Sequence, residues 1–160
     1  MKVRDIMTEP AVTCRSQTSV SVAARQMRDA DYGTLVVVDG RGCLEGIVTD
    51  RDICVALAGT NRNAVNVSVH EAMTHRVFTA SPDDEVHGAL ATMRTRRVRR
   101  LPVCDVDGRP VGMLSIEDVV VRGIETGGIA VTELVDALST MYIRVPAVKS
   151  VTPDNGFTPG

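Results

Sequence analysis

The chain has 160 residues, 44% hydrophobic and 24% charged, with 18 Lys and Arg against 20 Asp and Glu for a formal net charge of −2. That length suits one ordinary domain or two very small ones, and a core burying about 68–70% of the unfolded surface excludes wholesale disorder. No apolar run approaches the roughly 18–20 residues of a membrane span, and the charge balance does not predict a polyanion partner for the whole molecule.

The N-terminus, Met1 to Pro10, has no apolar stretch and carries Asp5 and Glu9, so no secretory leader and a cytoplasmic location are expected. Cys14, Cys43, Cys54 and Cys104 form no CxxC pair, and are expected as small hydrophobes rather than bridges or metal ligands. His70, His75 and His87 lack the i, i+4 spacing of a helical metal pair, so no metal is expected. Two Tyr, two Phe and no Trp leave an aliphatic core and exclude the aromatic platforms that hold single-stranded nucleic acid.

The chain repeats itself. Asp5-Ile6-Met7-Thr8 returns as Glu71-Ala72-Met73-Thr74, an offset of 73 − 7 = 66, and Gly46 returns as Gly112 at the same offset. The same register pairs Thr13 with Thr79, Val20 with Val86, Met27-Arg28 with Met93-Arg94, Leu35 with Leu101, and Asp52 with Asp118. A gapless register over some fifty residues is a tandem duplication.

In chain order, each copy opens with a short helical lead-in, residues 3–7 and 69–73, then an extended piece, residues 11–14 and 77–79. A helix follows over about 19–29 and 85–96, with Val20, Ala23, Ala24 and Met27, then Val86, Ala89, Leu90 and Met93, at helical spacing. Ser81-Pro82 is expected to open the second of these, with serine as N-cap and proline at the first helical position. Strands are expected over 34–38 and 44–49, then 101–104 and 110–115, with the turns 39–42 and 105–108 between them. A last helix starts near Asp50 and Ile116, so the fold class is mixed α/β (α+β) with a β-α-β-β-α unit used twice. The domain reading is repeat 1 over residues 1–58, a linker over 59–67 and repeat 2 over 68–124. Residues 125–144 hold an amphipathic helix with Leu134, Leu138 and Met141 on one stripe, and 145–160 form a Pro- and Gly-containing tail expected to be disordered.

The best site candidate is the strand-to-helix junction. Gly46-Ile47-Val48-Thr49-Asp50-Arg51-Asp52 and Gly112-Met113-Leu114-Ser115-Ile116-Glu117-Asp118 share one pattern: Gly, two apolar residues, a hydroxyl, and a carboxylate three residues on. A hydroxyl at a strand end can donate to a phosphate beside the free N–H groups of a helix start, and a carboxylate one turn later can accept both hydroxyls of a ribose. The same spacing also makes a capping box, with the acid reaching back to the cap N–H. Spacing leaves both readings open.

The lead-in Asp5-Ile6-Met7-Thr8, the strand Leu101-Pro102-Val103 and the run from Gly46 to Ile53 resemble a tandem pair of CBS (cystathionine β-synthase) domains, the Bateman module, over residues 1–124. The resemblance implies two repeats related by a pseudo-twofold and packed sheet to sheet, with two clefts for adenosine-containing ligands. AMP, ADP and ATP are the expected ligands, with S-adenosylmethionine or an NAD-type ligand as alternatives. It implies that Asp52 and Asp118 bind ribose and that Thr49 and Ser115 bind phosphate. Thr13, Thr79, Val36, Val37, Val103 and Met113 would then lie near the base. It also places Arg99 and Arg100 against ligand phosphates, with Arg51 as a further candidate.

Residues 94–100 contain five arginines, and guanidinium forks match phosphate geometry, so the sequence favours a phosphorylated ligand. A regulatory, non-catalytic nucleotide-binding module, acting as a homodimer on an unidentified protein, is the expectation. The apolar lead-ins and the 130–142 helix are the surfaces expected to carry association. The alternatives are a structural module with empty clefts, a nucleic-acid binder using Arg94–Arg100, and a phosphate-cleaving enzyme, for which no positioned base or metal cluster is visible.

Overall fold

The computed structural model describes residues 1–142. The first copy runs through β1 (Thr13–Arg15), α1 (Val20–Asp29), β2 (Thr34–Val38), β3 (Leu44–Thr49) and α2 (Asp50–Ala58). The second runs through α3 (Val69–Ala72), α4 (Val86–Arg96), β4 (Arg100–Cys104), β5 (Pro110–Ser115) and α5 (Ile116–Asp118). A π-helical turn over Val119–Gly123 extends α5, and α6 (Val131–Tyr142) follows. The tail expected from residue 145 lies outside the described residues.

Local chemistry explains these elements. Ser19 caps α1 by accepting from Val22 N, and Val20, Ala23 and Met27 form its buried face. The hairpins turn on Asp39 and Asp105, whose carboxylates accept two backbone N–H bonds each, and on Gly42 and Gly108 at φ 84° and 76°. Every residue of β2 is buried. Leu35 and Val37 point into the helix-covered core of the first copy; Val36 and Val38 meet Met113 of the second copy between the sheets.

The lead-ins are exchanged. Val3, Ile6 and Met7 pack in the core of the second copy, and Val67, Val69 and Met73 in that of the first. Thr8 exchanges two backbone bonds with Met113, each 2.9 Å, and Thr74 does the same with Ile47 at 2.8 and 3.1 Å. This crossing explains both motif glycines. A Cβ on Gly46 would stand 3.0 Å from Thr74 O, and one on Gly112 would stand 2.9 Å from Thr8 O.

Four expectations change. The extended piece at 77–79 is not a strand. β1 pairs parallel with β2, helped by Val36 N donating to Val12 O, but the position equivalent to Val36 is Pro102, which has no N–H; one bridge, Ala80 to Val103, remains. The second long helix starts at Val86 with Glu85 as N-cap, because residues 81–84 form a turn whose carbonyls accept from the incoming N-terminus, Val3 N to Asp84 O and Arg4 N to Pro82 O. The apolar surfaces expected for association are largely buried within the chain, by the lead-in exchange and by Leu134 and Ala137 of α6 packing on the second core. Finally, Cys54 is exposed rather than a core hydrophobe; burial does push the Cys14 and Cys104 thiols up to about 11.

Candidate functional site

Both strand-to-helix junctions form complete capping boxes. Thr49 Oγ1 accepts from Asp52 N, while Asp52 Oδ2 accepts from Thr49 N at 2.9 Å and from the hydroxyl at 2.7 Å. Ser115 and Asp118 repeat this geometry at 2.9 and 2.5 Å. The boxes start α2 and α5 and hold the hydroxyl and one carboxylate oxygen of each pair in place. The other oxygen distinguishes the two copies.

Asp52 Oδ1 has no hydrogen-bond partner among the described residues, and Asp52 lines a cleft of about 210 Å3. Thr49 stands beside it, and Ile47 and Val98 form apolar wall. The crossing lead-in of the second copy brings Thr74, Arg76, Val77 and Phe78 across the top, and the approach to β4 brings Arg99 and Arg100. Thr34 also lines it, only 1% exposed, with no partner for its Oγ1 among the described residues. A buried hydroxyl left unpaired costs about 1–3 kcal/mol, so the cleft contains a polar atom with unused bonding capacity.

The field in this cleft is positive. Three guanidinium groups and one carboxylate line it, with Glu117 3.5 Å from Arg100 and the charges of Glu117 and Asp50 also felt at Arg99. The Tyr142 hydroxyl, 3.3 Å from Arg99, raises that arginine's pKa further, so its charge is fixed at any working pH. Arg96 and Arg76 lie 4.8 and 6.0 Å from the Phe78 ring centre, bracing the one aromatic wall.

At the Asp118 junction that second oxygen is bonded instead. Asp118 Oδ1 accepts from Thr8 Oγ1 at 3.1 Å and lies 3.9 Å from Arg122, which also donates to the Ile6 and Met7 carbonyls at 2.9 Å. Position 66 before Arg122 is Ala56, so the first copy has no matching cation. The positions matching Arg76 and Arg99 at the same offset are Pro10 and Gly33, which removes two positive charges from the second site.

The structure therefore brings together Asp52, Thr49, Arg99 and Arg100 of the expected residues. It places Asp118 and Ser115 at the other junction. Arg51, Thr13 and Thr79 are exposed and do not line the Asp52 cleft. Val36, Val37, Val103 and Met113 are buried in the cores or between the sheets and do not line it either. Sequence reasoning missed Thr34, Thr74, Arg76 and Phe78. The duplication contained the signal for Thr34, because it is the 66-residue counterpart of Arg100; Arg76 and Phe78 depend on the lead-in exchange, which the repeat pattern does not reveal.

The model of the CBS domain family matches the chain twice, at residues 3–59 and 69–124. The chain belongs to the CBS domain family. It is 37% identical over 117 residues to homoserine O-acetyltransferase of Methanococcoides burtonii, spanning 73% of this chain but only 23% of that relative. It is 29% identical over 134 residues to CBS domain-containing protein YhcV of Bacillus subtilis, spanning 82% of this chain and 94% of that one. The CBS domain pair of protein MJ0100, crystallised in complex with 5′-methylthioadenosine and S-adenosyl-L-methionine, superposes with a TM-score of 0.71 and 31% identity over 79% of this chain and 98% of that one. The α+β fold with small sheets is that of CBS domain pairs. No helix among the described residues is long and apolar enough to cross a membrane.

Proposed function

We propose that this CBS pair is a non-catalytic regulatory module that binds one phosphorylated adenine nucleotide of the AMP, ADP or ATP type in the Asp52 cleft. The observation that carries the reading is the convergence of an unpaired Asp52 oxygen, the unpaired Thr34 hydroxyl and three arginines on one cleft. Asp52 Oδ1 accepts ribose hydroxyls, the arginines hold phosphate, Thr49 joins them only by turning its one O–H proton from Asp52 Oδ2 to the ligand, and Thr34 supplies a bond to the nucleoside. The adenosine ligands of the MJ0100 pair support the adenosine part. The arginines favour a phosphate over the sulfonium of S-adenosylmethionine, whose positive charge they repel. Exposed Val121, Val131 and Val135 supply surface for a homodimer, which light scattering at micromolar concentration would detect as twice the chain mass.

The nucleic-acid alternative loses support because the arginine run is dispersed. Arg94 pairs with Asp136 of α6, Arg96 lies over Phe78, Arg97 turns the chain at φ 54°, and Arg99 and Arg100 face the cleft.

Thermal unfolding against AMP, ADP, ATP, S-adenosylmethionine and NADH tests the reading. A ligand at about 100 times its dissociation constant adds roughly 2.7 kcal/mol, a rise of about 5–10 °C for a chain this size. The rise should appear with a phosphorylated nucleotide, vanish in Asp52→Ala and persist in Asp118→Ala. No rise with any of the five at millimolar concentration would leave the junctions as caps alone.

A further inference from the structure

The helix α6 lies beyond both matched repeats, and its Leu134 and Ala137 are buried on the second core. Polar contacts follow along its length. Glu133 stands 3.0 Å from His87, Asp136 pairs with Arg94, and the Tyr142 hydroxyl accepts from Arg99 Nη1 at 3.3 Å. His87 and Arg94 sit on α4 and do not line the Asp52 cleft, whereas Arg99 does. The Tyr142 contact therefore ties α6 to the cleft. The first copy lacks it, because Gly33 stands at the counterpart position of Arg99.

The chemistry of this contact differs from that of its neighbours. Arg94 faces Asp136 and Arg100 has Glu117 3.5 Å away, so a carboxylate offsets each of those charges. Tyr142 is an uncharged acceptor, and its ring centre lies 5.8 Å from the Arg99 guanidinium carbon. Ring and hydroxyl together direct a long, exposed side chain and leave its positive charge intact. A guanidinium has donors on every nitrogen, so the bond to Tyr142 uses one and leaves the rest for phosphate oxygens. Without the tyrosine, Arg99 is free to swing toward Glu117 or Asp50, whose charges it already feels.

We propose, on the basis of the nucleotide reading above, that Tyr142 is a positioning residue: it holds Arg99 ready for the phosphate of the bound nucleotide and so couples the seating of α6 to occupancy of the Asp52 cleft. Tyr142 and the phosphate share one ordered guanidinium, so each lowers the ordering cost that the other must meet. Linkage makes the effect reciprocal, and nucleotide tightens the end of α6 by the factor by which Tyr142 tightens nucleotide.

Calorimetric titration of the full chain with AMP, ADP, ATP and phosphate-free adenosine tests this in wild type, Tyr142→Leu, Arg99→Ala and the double variant. Tyr142→Leu should weaken the phosphorylated ligands about three- to tenfold and leave adenosine unchanged. It should add no further loss to Arg99→Ala, since the tyrosine acts only through that arginine. Tyr142→Phe, which keeps the ring, should give a smaller loss with the same restriction to phosphorylated ligands. The chain has no Trp and only Tyr32 besides Tyr142, so in Tyr32→Phe the tyrosine emission reports the end of α6 alone. That emission should change saturably with nucleotide, and the change should disappear when Arg99→Ala is added. Equal losses for nucleotide and adenosine, a further loss in the Arg99→Ala background, or emission indifferent to nucleotide would overturn the proposal. A wild-type chain that binds AMP, ADP or ATP with an affinity indifferent to Tyr142 sinks the coupling alone. A wild-type chain that binds none of them sinks the nucleotide reading as well.

Discussion

The Asp52 and Asp118 junctions have the same backbone, the same capping box and the same glycine under the same crossing lead-in, yet the second carboxylate oxygen has no partner among the described residues in one, where Asp52 lines a positive cleft, and is bonded in the other. The difference comes from a few side chains. Thr8 bonds the second oxygen of Asp118 and Arg122 stands 3.9 Å from it, whereas Thr74, the counterpart of Thr8, makes no such bond to Asp52 among the described residues, Ala56 replaces Arg122, and Thr34 and three arginines line the Asp52 cleft. Duplication copied the scaffold, and substitution at its rim separated a binding site from a structural joint. A conserved-looking motif therefore fixes where a ligand can bind, while the rim decides whether it does.

The largest effect is expected where the copies are most alike. Gly46→Ala and Gly112→Ala should each cost about 1–3 kcal/mol in chemical denaturation, because the new methyl meets a backbone carbonyl that cannot move away alone. Only Gly46→Ala should also weaken nucleotide binding. Equal loss of binding in both would mean the clefts are equivalent after all.

The carboxylates should separate next. Losing either capping box costs about 1 kcal/mol. Asp118→Ala should cost up to about 1 kcal/mol more, since it also strips a partner from Thr8 and a nearby anion from Arg122. Asp52→Ala should be the milder change in stability and the severe one in binding. Thr34→Val sharpens the same point. It removes the unpaired hydroxyl at nearly constant volume, so the ligand-free protein should gain up to about 1 kcal/mol while nucleotide affinity falls. A loss of stability there would show that the hydroxyl already has a partner.

The smallest effect concerns the lead-in that delivers Thr74 and Arg76. Glu71 is held down to about 2, first by the Ser68 N–H, then by Arg62 and the Ser68 hydroxyl. Its folded pKa lies below its unfolded value, so its contribution is fully present above the ordinary glutamate range and is lost as pH falls toward 2. Glu71→Gln should flatten the pH dependence of stability in that window, by a small amount because the carboxylate is exposed.

Much of this architecture was legible in the sequence because a gapless 66-residue register reports on itself. Helices, hairpins and both junctions follow from the spacing of apolar residues and from Asp39, Asp105 and the glycines. What the register does not encode is which copy each lead-in serves, since exchange and self-packing bury the same Met7 and Met73. Arg76 and Phe78 were missed for that reason, and the ownership of Arg99 and Arg100 could not be assigned. The missing third strand was readable in principle. Pro102 stands where Val36 donates an N–H, but a one-bond loss is easily overlooked beside a strong apolar run.

Isothermal titration of the full chain with AMP and ATP, alongside Asp52→Ala and Asp118→Ala, tests the central claim most directly. One site per chain is expected, lost in Asp52→Ala and kept in Asp118→Ala. Two equivalent sites per chain, or binding that depends on Asp118 alone, would contradict it.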